Sequence, residues 1–189
     1  MSKVAILDAN VLFPMVLRDT MLRIAAAGCY RVRWSDRIID EMTRNLVEQH
    51  RLDAAKARAL AQIMREAFPE ATVRGWGRFE PNMQNHPKDR HVAAAAVAAG
   101  ASVIVTSNLK DFTNLPVGTV AMSPDAFLLA MLDENPEAVI DALRKQANGY
   151  RKPVTTTTSL LESLARTVPG FAAATIERAG CNSTKDQGI

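Results

Sequence analysis

The stretch VAILDAN, at positions 4–10, is the strongest indication of fold class in the sequence. Val4–Leu7 form a continuous apolar run, which is typical of a strand buried on both faces of a parallel sheet. Asp8 ends that run directly. In a parallel α/β sheet the ligand crevice lies at the carboxyl ends of the strands, so a carboxylate at this position indicates a functional site.

Strand and helix patterns alternate through most of the remaining chain. Further strands are predicted at Tyr30–Trp34, in SVIVTS (102–107) and in GTVAMS (118–123). Helices are predicted from Pro14 to Gly28, after the N-cap Ser35, from Asp53 to Phe68, from Pro87 to Gly100 and from Pro124 to Leu132. This alternation predicts an α/β fold with a central parallel sheet and helices on both faces.

The chain changes character after residue 135, because strand patterns end and only helical stretches follow. We therefore predict a domain at 1–135, a C-terminal helical extension at 136–180 and a flexible tail at 181–189. The low-complexity run KPVTTTTS (152–159) is interpreted as a hinge between helices.

Composition limits the functional classes without choosing among them. The 189 residues carry a net charge of +3, which suits an anionic partner but does not require one. The two cysteines, Cys29 and Cys181, form no metal-ligand spacing, so reduced thiols and a cytoplasmic protein are expected. The N-terminal apolar run is too short for a secretory signal, and no run has the length of a membrane span.

Four acidic residues are expected to approach one edge of the sheet. Asp8 and Asp111 each follow a buried strand, and Asp89 lies in the first turn of the helix that leads into SVIVTS. Strand and helix are antiparallel in a βαβ unit, so the start of this helix lies at the carboxyl edge of the strands. Glu41 borders the apolar stripe of its helix. Singly, Asp89 could be a helix-start residue, Asp111 a turn residue and Glu41 a solvated one, so the joint placement carries the hypothesis.

Carboxylates gathered in a small space repel one another, and a divalent cation removes that conflict. Hard oxygen ligands without a histidine or cysteine set favour Mg²⁺ or Mn²⁺ over zinc. His86 is interpreted as a helix-start residue and His91 as a surface residue, neither of them a ligand. Trp34 and Trp76 are interpreted as packing groups. The pattern points to metal-dependent hydrolysis of a phosphodiester.

The motifs AILDANVL, IIDEM, HPKDRHVAAAAVAAGA and VIVTSNLKDF, in this order, resemble the PIN domain family of metal-dependent nucleases over about residues 3–130. The resemblance implies a three-layer α/β/α fold and an acidic pocket that binds one or two Mg²⁺ or Mn²⁺ ions and cleaves RNA. By this match the catalytic and metal-binding residues would be Asp8, Glu41, Asp89 and Asp111. Asn10, Thr106 and Asn108 would support the site.

Many members of this family are toxins of bacterial toxin–antitoxin pairs, so the resemblance also implies a small antitoxin partner and a homodimer. The helical extension departs from the compact toxin and leaves the nuclease chemistry untouched. Four basic residues lie close in sequence to site elements and are hypothesised to contact substrate phosphates, although ordinary surface charge is the alternative for each. They are Arg18, Arg44, Arg90 and Lys110.

Two other functions are compatible with parts of the pattern. A phosphatase of the haloacid dehalogenase type also has an aspartate after its first strand, but it needs a second acid two residues later, where this chain has Asn10. A catalytically inactive PIN-like module could bind RNA or act as a scaffold. The presence of all four acids favours the nuclease.

Overall fold

The computed structural model describes residues 3–151 and 155–185, with residues 180–185 described only as helix backbone. The contacts within the chain divide it into two compact units. We call the first the sheet unit (Met1–Met15 and Tyr30–Ser123) and the second the helical unit (Val16–Cys29 and Pro124–Ile189). Among the described residues, no helix combines the length and the apolar character needed to cross a membrane.

Within the described residues, the sheet unit has five parallel strands. Their order in the sheet is β3-β2-β1-β4-β5. The strands are β1 (Val4–Leu7), β2 (Arg31–Ser35), β3 (Thr72–Val73), β4 (Val103–Val105) and β5 (Val120–Met122). Ala5 pairs with Val32 on one side and with Val103 on the other, so β1 lies at the centre. The predicted central parallel sheet is confirmed.

The strand order places a topological switch point beside β1. The chain leaves β1 for β2 on one side and later returns to β4 on the other, so the connections diverge between β1 and β4. Such a point is where open α/β sheets form their ligand crevice. The backbone N–H of Asp8 donates to the carbonyl of Val105 at 3.0 Å, which ties the ends of these two strands together.

Helices flank this sheet, as predicted. They are α1 (Ala9–Leu12), α3 (Asp36–Glu48), α4 (Ala54–Ala67) and α5 (Arg90–Ala99), while α2 (Met15–Ala26) falls almost entirely in the helical unit. Ser35 caps α3 by accepting from the N–H of Ile38 at 3.2 Å, and Asp53 caps α4 through the N–H of Lys56 at 2.8 Å. The fold is therefore the predicted α/β/α class.

The alanine-rich helix α5 packs directly on the sheet. It contacts β1, β2 and β4, and its residues His91–Ala96 are all buried. Small side chains allow a helix to approach strands closely, which explains the run of alanines. Pro87 opens a 3-10 turn at Pro87–Asp89, so the α-helix begins at Arg90, later than predicted. Gly100 ends it in the left-handed conformation (φ +59°) that glycine adopts readily.

The helical unit contains α2 together with the C-terminal helices. These are α6 (Pro124–Glu134), α7 (Pro136–Gly149), α8 (Thr157–Leu164) and α9 (Pro169–Lys185). The carboxylate of Asp125 accepts from the N–H groups of Gly170 at 3.1 Å and Phe171 at 2.8 Å, so α6 caps the start of α9. The hydroxyl of Thr20 in α2 donates to Gln146 in α7 at 2.8 Å.

Several boundaries differ from those expected from the sequence. The contacts divide the chain between residues 123 and 124, because α6 packs against α7 and α9, and the domain boundary at 135/136 stays a prediction. The hinge assignment at 152–159 is wrong for its last three residues, since they lie in α8 and Thr156 caps that helix together with Ser159. Residues 152–154 of that run lie outside the described residues. The last helix extends to Lys185, into the predicted tail, whose residues 186–189 also lie outside them.

Candidate active site

Asp8 is held rigidly at the end of β1. Its side chain is buried, and its Oδ1 accepts from the N–H of Ala9 at 2.7 Å, which caps the single-turn helix α1. Its Oδ2 accepts from Nδ2 of Asn10 at 2.7 Å and from the hydroxyl of Thr106 at 2.8 Å. Both carboxylate oxygens are thus oriented by neighbours on α1 and on the loop that follows β4.

Thr106 links Asp8 to the loop after β4. Besides donating to Asp8, its hydroxyl accepts from Nδ2 of Asn10 at 3.0 Å and from the N–H of Asn108 at 3.1 Å, which uses its full hydrogen-bonding capacity. Oδ1 of Asn10 accepts from the N–H of Ser107 at 3.0 Å. These bonds fix the ends of β1 and β4 as one polar network.

A second acidic group lies on the loops before α5 and after β4. One ligand atom from each of His86, Asp89 and Asp111 lies within 4.8 Å of the others. The N–H of His86 donates to the carbonyl of Asp111 at 3.0 Å, which joins the two loops. The side-chain amide of Asn108 donates to Oδ2 of Asp111. His86, interpreted from the sequence as a helix-start residue, therefore lies among the acids.

Asp89 has one carboxylate oxygen that the described residues leave unsatisfied. The residue is 9% exposed, and its Oδ2 has no hydrogen-bond partner there. The imidazole nitrogen nearest to this oxygen among its charged or chargeable neighbours, Nδ1 of His86, is 4.0 Å away. Burial raises the pKa of Asp89 and the charge of Asp111 adds to this, while Lys88 and the two nearby histidines oppose it. A buried carboxylate in this state lacks a compensating positive charge.

Asp8, like Asp89, is a buried carboxyl group whose pKa is raised. Burial raises the pKa of Asp8, the hydrogen bonds from Thr106 and Ala9 oppose the rise, and the charge of Asp89 adds to it. The two carboxylates come from the end of β1 and from the turn before α5, and each has a pKa above its usual range. They therefore interact at the same edge of the sheet.

Glu41 reaches the site through His91. Its Oε1 lies 3.3 Å from Nε2 of His91 and 3.6 Å from Nε of Arg37. Nε2 of His91 makes no well-aligned hydrogen bond within the described residues, and it is a cationic partner of Glu41 only when the imidazole is protonated. Burial raises the pKa of Glu41, but His91, Arg37 and Arg44 lower it by more, and the net shift is downward.

The interpretation of His91 as a surface residue is wrong. Its side chain is fully buried, and its ring lies edge-on to the ring of Trp76, with the centroids 6.1 Å apart. The sequence did contain a signal, because His91 begins a run of small apolar residues with no polar face. A helix that is apolar on all sides is buried, and so is the histidine within it.

Comparison with known proteins identifies the family. The model described as "PIN domain" matches residues 4–110, more than half of the chain. The chain belongs to the PIN domain family. The model described as "VapC50 C-terminal domain" matches residues 124–175, which begin where the helical unit resumes. The resemblance based on the motifs is thereby confirmed, and the family membership gives the phosphatase alternative no support.

A relative supports the same assignment. A protein of Mycobacterium tuberculosis named "Putative ribonuclease VapC50" is 47% identical over 102 residues. The match covers 52% of this chain and 60% of that protein. The chain thus spans less than two thirds of the relative that it matches.

The acids of this PIN domain fit a hard divalent cation. The unsatisfied oxygen of Asp89 and the raised pKa values of Asp89 and Asp8 describe carboxylates that need positive charge. Oxygen ligands with at most one nearby imidazole favour Mg²⁺ or Mn²⁺ over zinc. His86, Asp89 and Asp111 offer ligand atoms that converge within 4.8 Å. Asp8 lies outside that group and interacts with Asp89 through its charge, while Glu41 is already paired with Arg37.

The four basic residues singled out from the sequence have different surroundings. Arg18 lies in the helical unit and is 7% exposed, so it offers little surface to a phosphate. Arg44 and Lys110 are exposed, on α3 and in the turn Leu109–Phe112. Arg90 is half-buried, and its Nε donates to the carbonyl of Asn85 at 3.3 Å. Within the PIN domain, Arg44, Arg90 and Lys110 remain candidates for phosphate contact.

Proposed function

We propose that this PIN domain protein is a metal-dependent endoribonuclease and the toxin of a toxin–antitoxin pair. The observation that carries the proposal is the buried, unsatisfied oxygen of Asp89, which interacts electrostatically with Asp8 and Asp111 at the switch point of the sheet. The name of the 47% identical relative, a ribonuclease, supports the same reaction class.

In this proposal Asp8, Glu41, Asp89 and Asp111 are the catalytic and metal-binding residues, and the ion is Mg²⁺ or Mn²⁺. A bound ion of this kind lowers the pKa of a coordinated water and stabilises charge on the phosphate under attack. Thr106 and Asn10 orient the carboxylate of Asp8. Asn108 orients that of Asp111 through its side-chain amide. His91 and Arg37 lie beside Glu41 and lower the pKa of that carboxyl group.

The remaining parts of the proposal concern partners and place. Supporting evidence comes from the family, many of whose members are toxins, and from the match to a C-terminal domain model over residues 124–175. We propose a small antitoxin protein as the partner, a homodimer as the assembly and the cytoplasm as the location. The domain division 1–135 and 136–180 stays a prediction.

The decisive experiment incubates the purified protein with labelled single-stranded RNA, with Mn²⁺ and with EDTA. We expect cleavage with Mn²⁺ and none with EDTA. Asp8→Asn and Asp89→Asn abolish cleavage while circular dichroism shows an unchanged fold. Asp40→Asn, which removes the same charge from an exposed position on α3, cleaves like the wild type.

Each contrary outcome has a clear meaning. RNA binding without cleavage refutes the nuclease and supports an inactive module, and turnover of a phosphate monoester supports a phosphatase. Full cleavage by Asp8→Asn removes Asp8 from the site. The toxin role is tested separately by induced expression in bacteria, where the wild type arrests growth and Asp8→Asn does not. Unchanged growth with the wild type refutes the toxin role and leaves the nuclease intact.

A further inference from the structure

The proposed site leaves one distinctive sequence unexplained, the RGWGRF segment at residues 74–79. It follows β3, and its residues Trp76–Arg78 form a 3-10 turn. Arg74 and Arg78 are exposed. Within the described ranges 3–151 and 155–185, neither arginine has an ion pair with a carboxylate, whereas Arg37 and Arg65 of the same unit are both paired.

The RGWGRF segment packs through its turn Trp76–Arg78 on α5, the helix that begins directly after Asp89. The half-buried ring of Trp76 meets the ring of His91, and His91 in turn contacts Glu41. Trp76 thus acts as the packing group that was expected, and it anchors the two arginines on the same unit as the acidic site.

The geometry of the segment is suited to contact with a sugar–phosphate backbone. The guanidinium of Arg78 lies over the ring of Phe79, 4.7 Å from its centroid, which restrains its orientation. Gly75 is left-handed (φ +68°), and a Cβ on Gly75 or Gly77 would meet no atom within 4 Å. The backbone between the arginines is therefore bare and faces open space. The neighbouring carboxylate of Glu80 is bound to Arg37 at 3.1 Å and so is already engaged by another cation.

An acidic pocket repels a polyanionic substrate, so a nuclease needs positive charge beside its carboxylates. We propose that the RGWGRF segment binds the sugar–phosphate backbone of single-stranded RNA, with Arg74 and Arg78 each contacting a phosphate. This inference rests on the proposed function, which supplies RNA as the substrate. Arginine suits the task because its planar fork donates two hydrogen bonds to one phosphate.

The test measures binding of a fluorescein-labelled single-stranded RNA by anisotropy in EDTA, where metal-dependent cleavage cannot occur. The variant is Arg74→Gln with Arg78→Gln. Its matched control is Arg51→Gln with Arg58→Gln, which removes two exposed arginines from the same unit. Each phosphate contact on a single strand adds about 0.7 to the slope of log K against log salt. We therefore expect the slope to fall by about 1.4, and the affinity at 0.1 M salt to fall about 25-fold.

The control double variant is expected to keep the wild-type slope. Wild-type affinity and slope in Arg74→Gln with Arg78→Gln would overturn the inference, and so would equal losses in the two double variants, which would show a general effect of net charge. A wild type that binds no RNA would also overturn it. A wild type that binds RNA but does not cleave it with Mn²⁺ refutes the nuclease alone, and the slopes then still decide the role of the segment.

Discussion

The hydroxyl of Thr106 offers the sharpest test of how the site is built. Thr106 is fully buried, and its hydroxyl donates to Asp8 while it accepts from Asn10 and from the N–H of Asn108. Thr106→Val keeps the shape of the side chain and removes all three hydrogen bonds. A valine there leaves the ionised carboxylate of Asp8 with one donor fewer.

The expected cost follows from the kinds of bonds that are lost. A buried hydrogen bond to a charged group contributes about 1.5–3 kcal/mol, and one to a backbone N–H contributes about 1 kcal/mol. Asn10 keeps its bond to Asp8 and adds little. We therefore expect the free energy of unfolding to fall by about 3 kcal/mol. For a chain of this size the melting temperature then falls by about 6–12 °C.

The loss is expected to depend on pH. The bond from Thr106 holds down the pKa of Asp8, so its removal raises that pKa further above the unfolded value. A carboxyl group whose folded pKa is raised loses stability as the pH rises above the unfolded value, and it has no such penalty at lower pH. The free energy of unfolding of Thr106→Val should therefore lie further below that of the wild type at pH 7.5 than at pH 4. Unfolding is followed by urea titration in EDTA.

Thr20→Val is the matched control. Thr20 is also fully buried, but its single O–H faces only neutral acceptors, Oε1 of Gln146 at 2.8 Å and the carbonyl of Val16 at 3.0 Å. Thr20→Val is expected to lower the free energy of unfolding by a similar amount at pH 4 and at pH 7.5. The reasoning is refuted if the deficit of Thr106→Val is also the same at pH 4 and pH 7.5, because the hydroxyl would then not be stabilising an ionised Asp8.

Two further predictions concern the metal and the helical unit. Mn²⁺ at about 100 times its Kd should stabilise the wild type by about 2.7 kcal/mol, or about 5–11 °C in a thermal melt. Asp89→Asn should show no such shift whereas Asp40→Asn keeps it, and an equal shift in Asp89→Asn would exclude Asp89 as a ligand. Asp125→Ala should lower the free energy of unfolding by about 1–3 kcal/mol, because the N–H groups of Gly170 and Phe171 lose their acceptor. Asp141→Ala, which breaks only an exposed pair with Lys145, should cost less than about 0.5 kcal/mol in the same urea titration, and equal costs would contradict the capping role.

The sequence predicts the sheet well because its central strands are continuous apolar runs ended by polar residues. The local sequence pattern was enough to predict β1 and β4, and it was enough to predict the helices capped by Ser35 and Asp53. The helix α1 was missed because four residues are too few to show a helical period. The grouping of α2 with the C-terminal helices was missed for another reason. It depends on contacts such as that between Thr20 and Gln146, which no local pattern encodes.

The site residues also differ in whether local sequence pattern or contacts distant in sequence determine their positions. The position of Asp8 was predictable, since a residue that directly ends a buried parallel strand lies at the carboxyl edge of the sheet. His91 was misjudged because it was weighed as a polar residue beside Asp89 and not as a member of its apolar helix. The network around Thr106 joins residues almost a hundred positions apart in sequence, so its hydrogen bonds became visible only in the structure.

The four acids do not have equal need of a cation. Glu41 has a pKa below its usual range because His91, Arg37 and Arg44 already compensate its charge. Asp8 and Asp89 have raised pKa values because burial and their mutual repulsion are not balanced by the protein. The ionised forms of these two residues therefore oppose folding at neutral pH, and a cation bound to them removes that opposition. Proteins retain such conflicts mainly at functional sites, so within the proposed metal site Asp8 and Asp89 are the residues on which we expect cation binding to depend most.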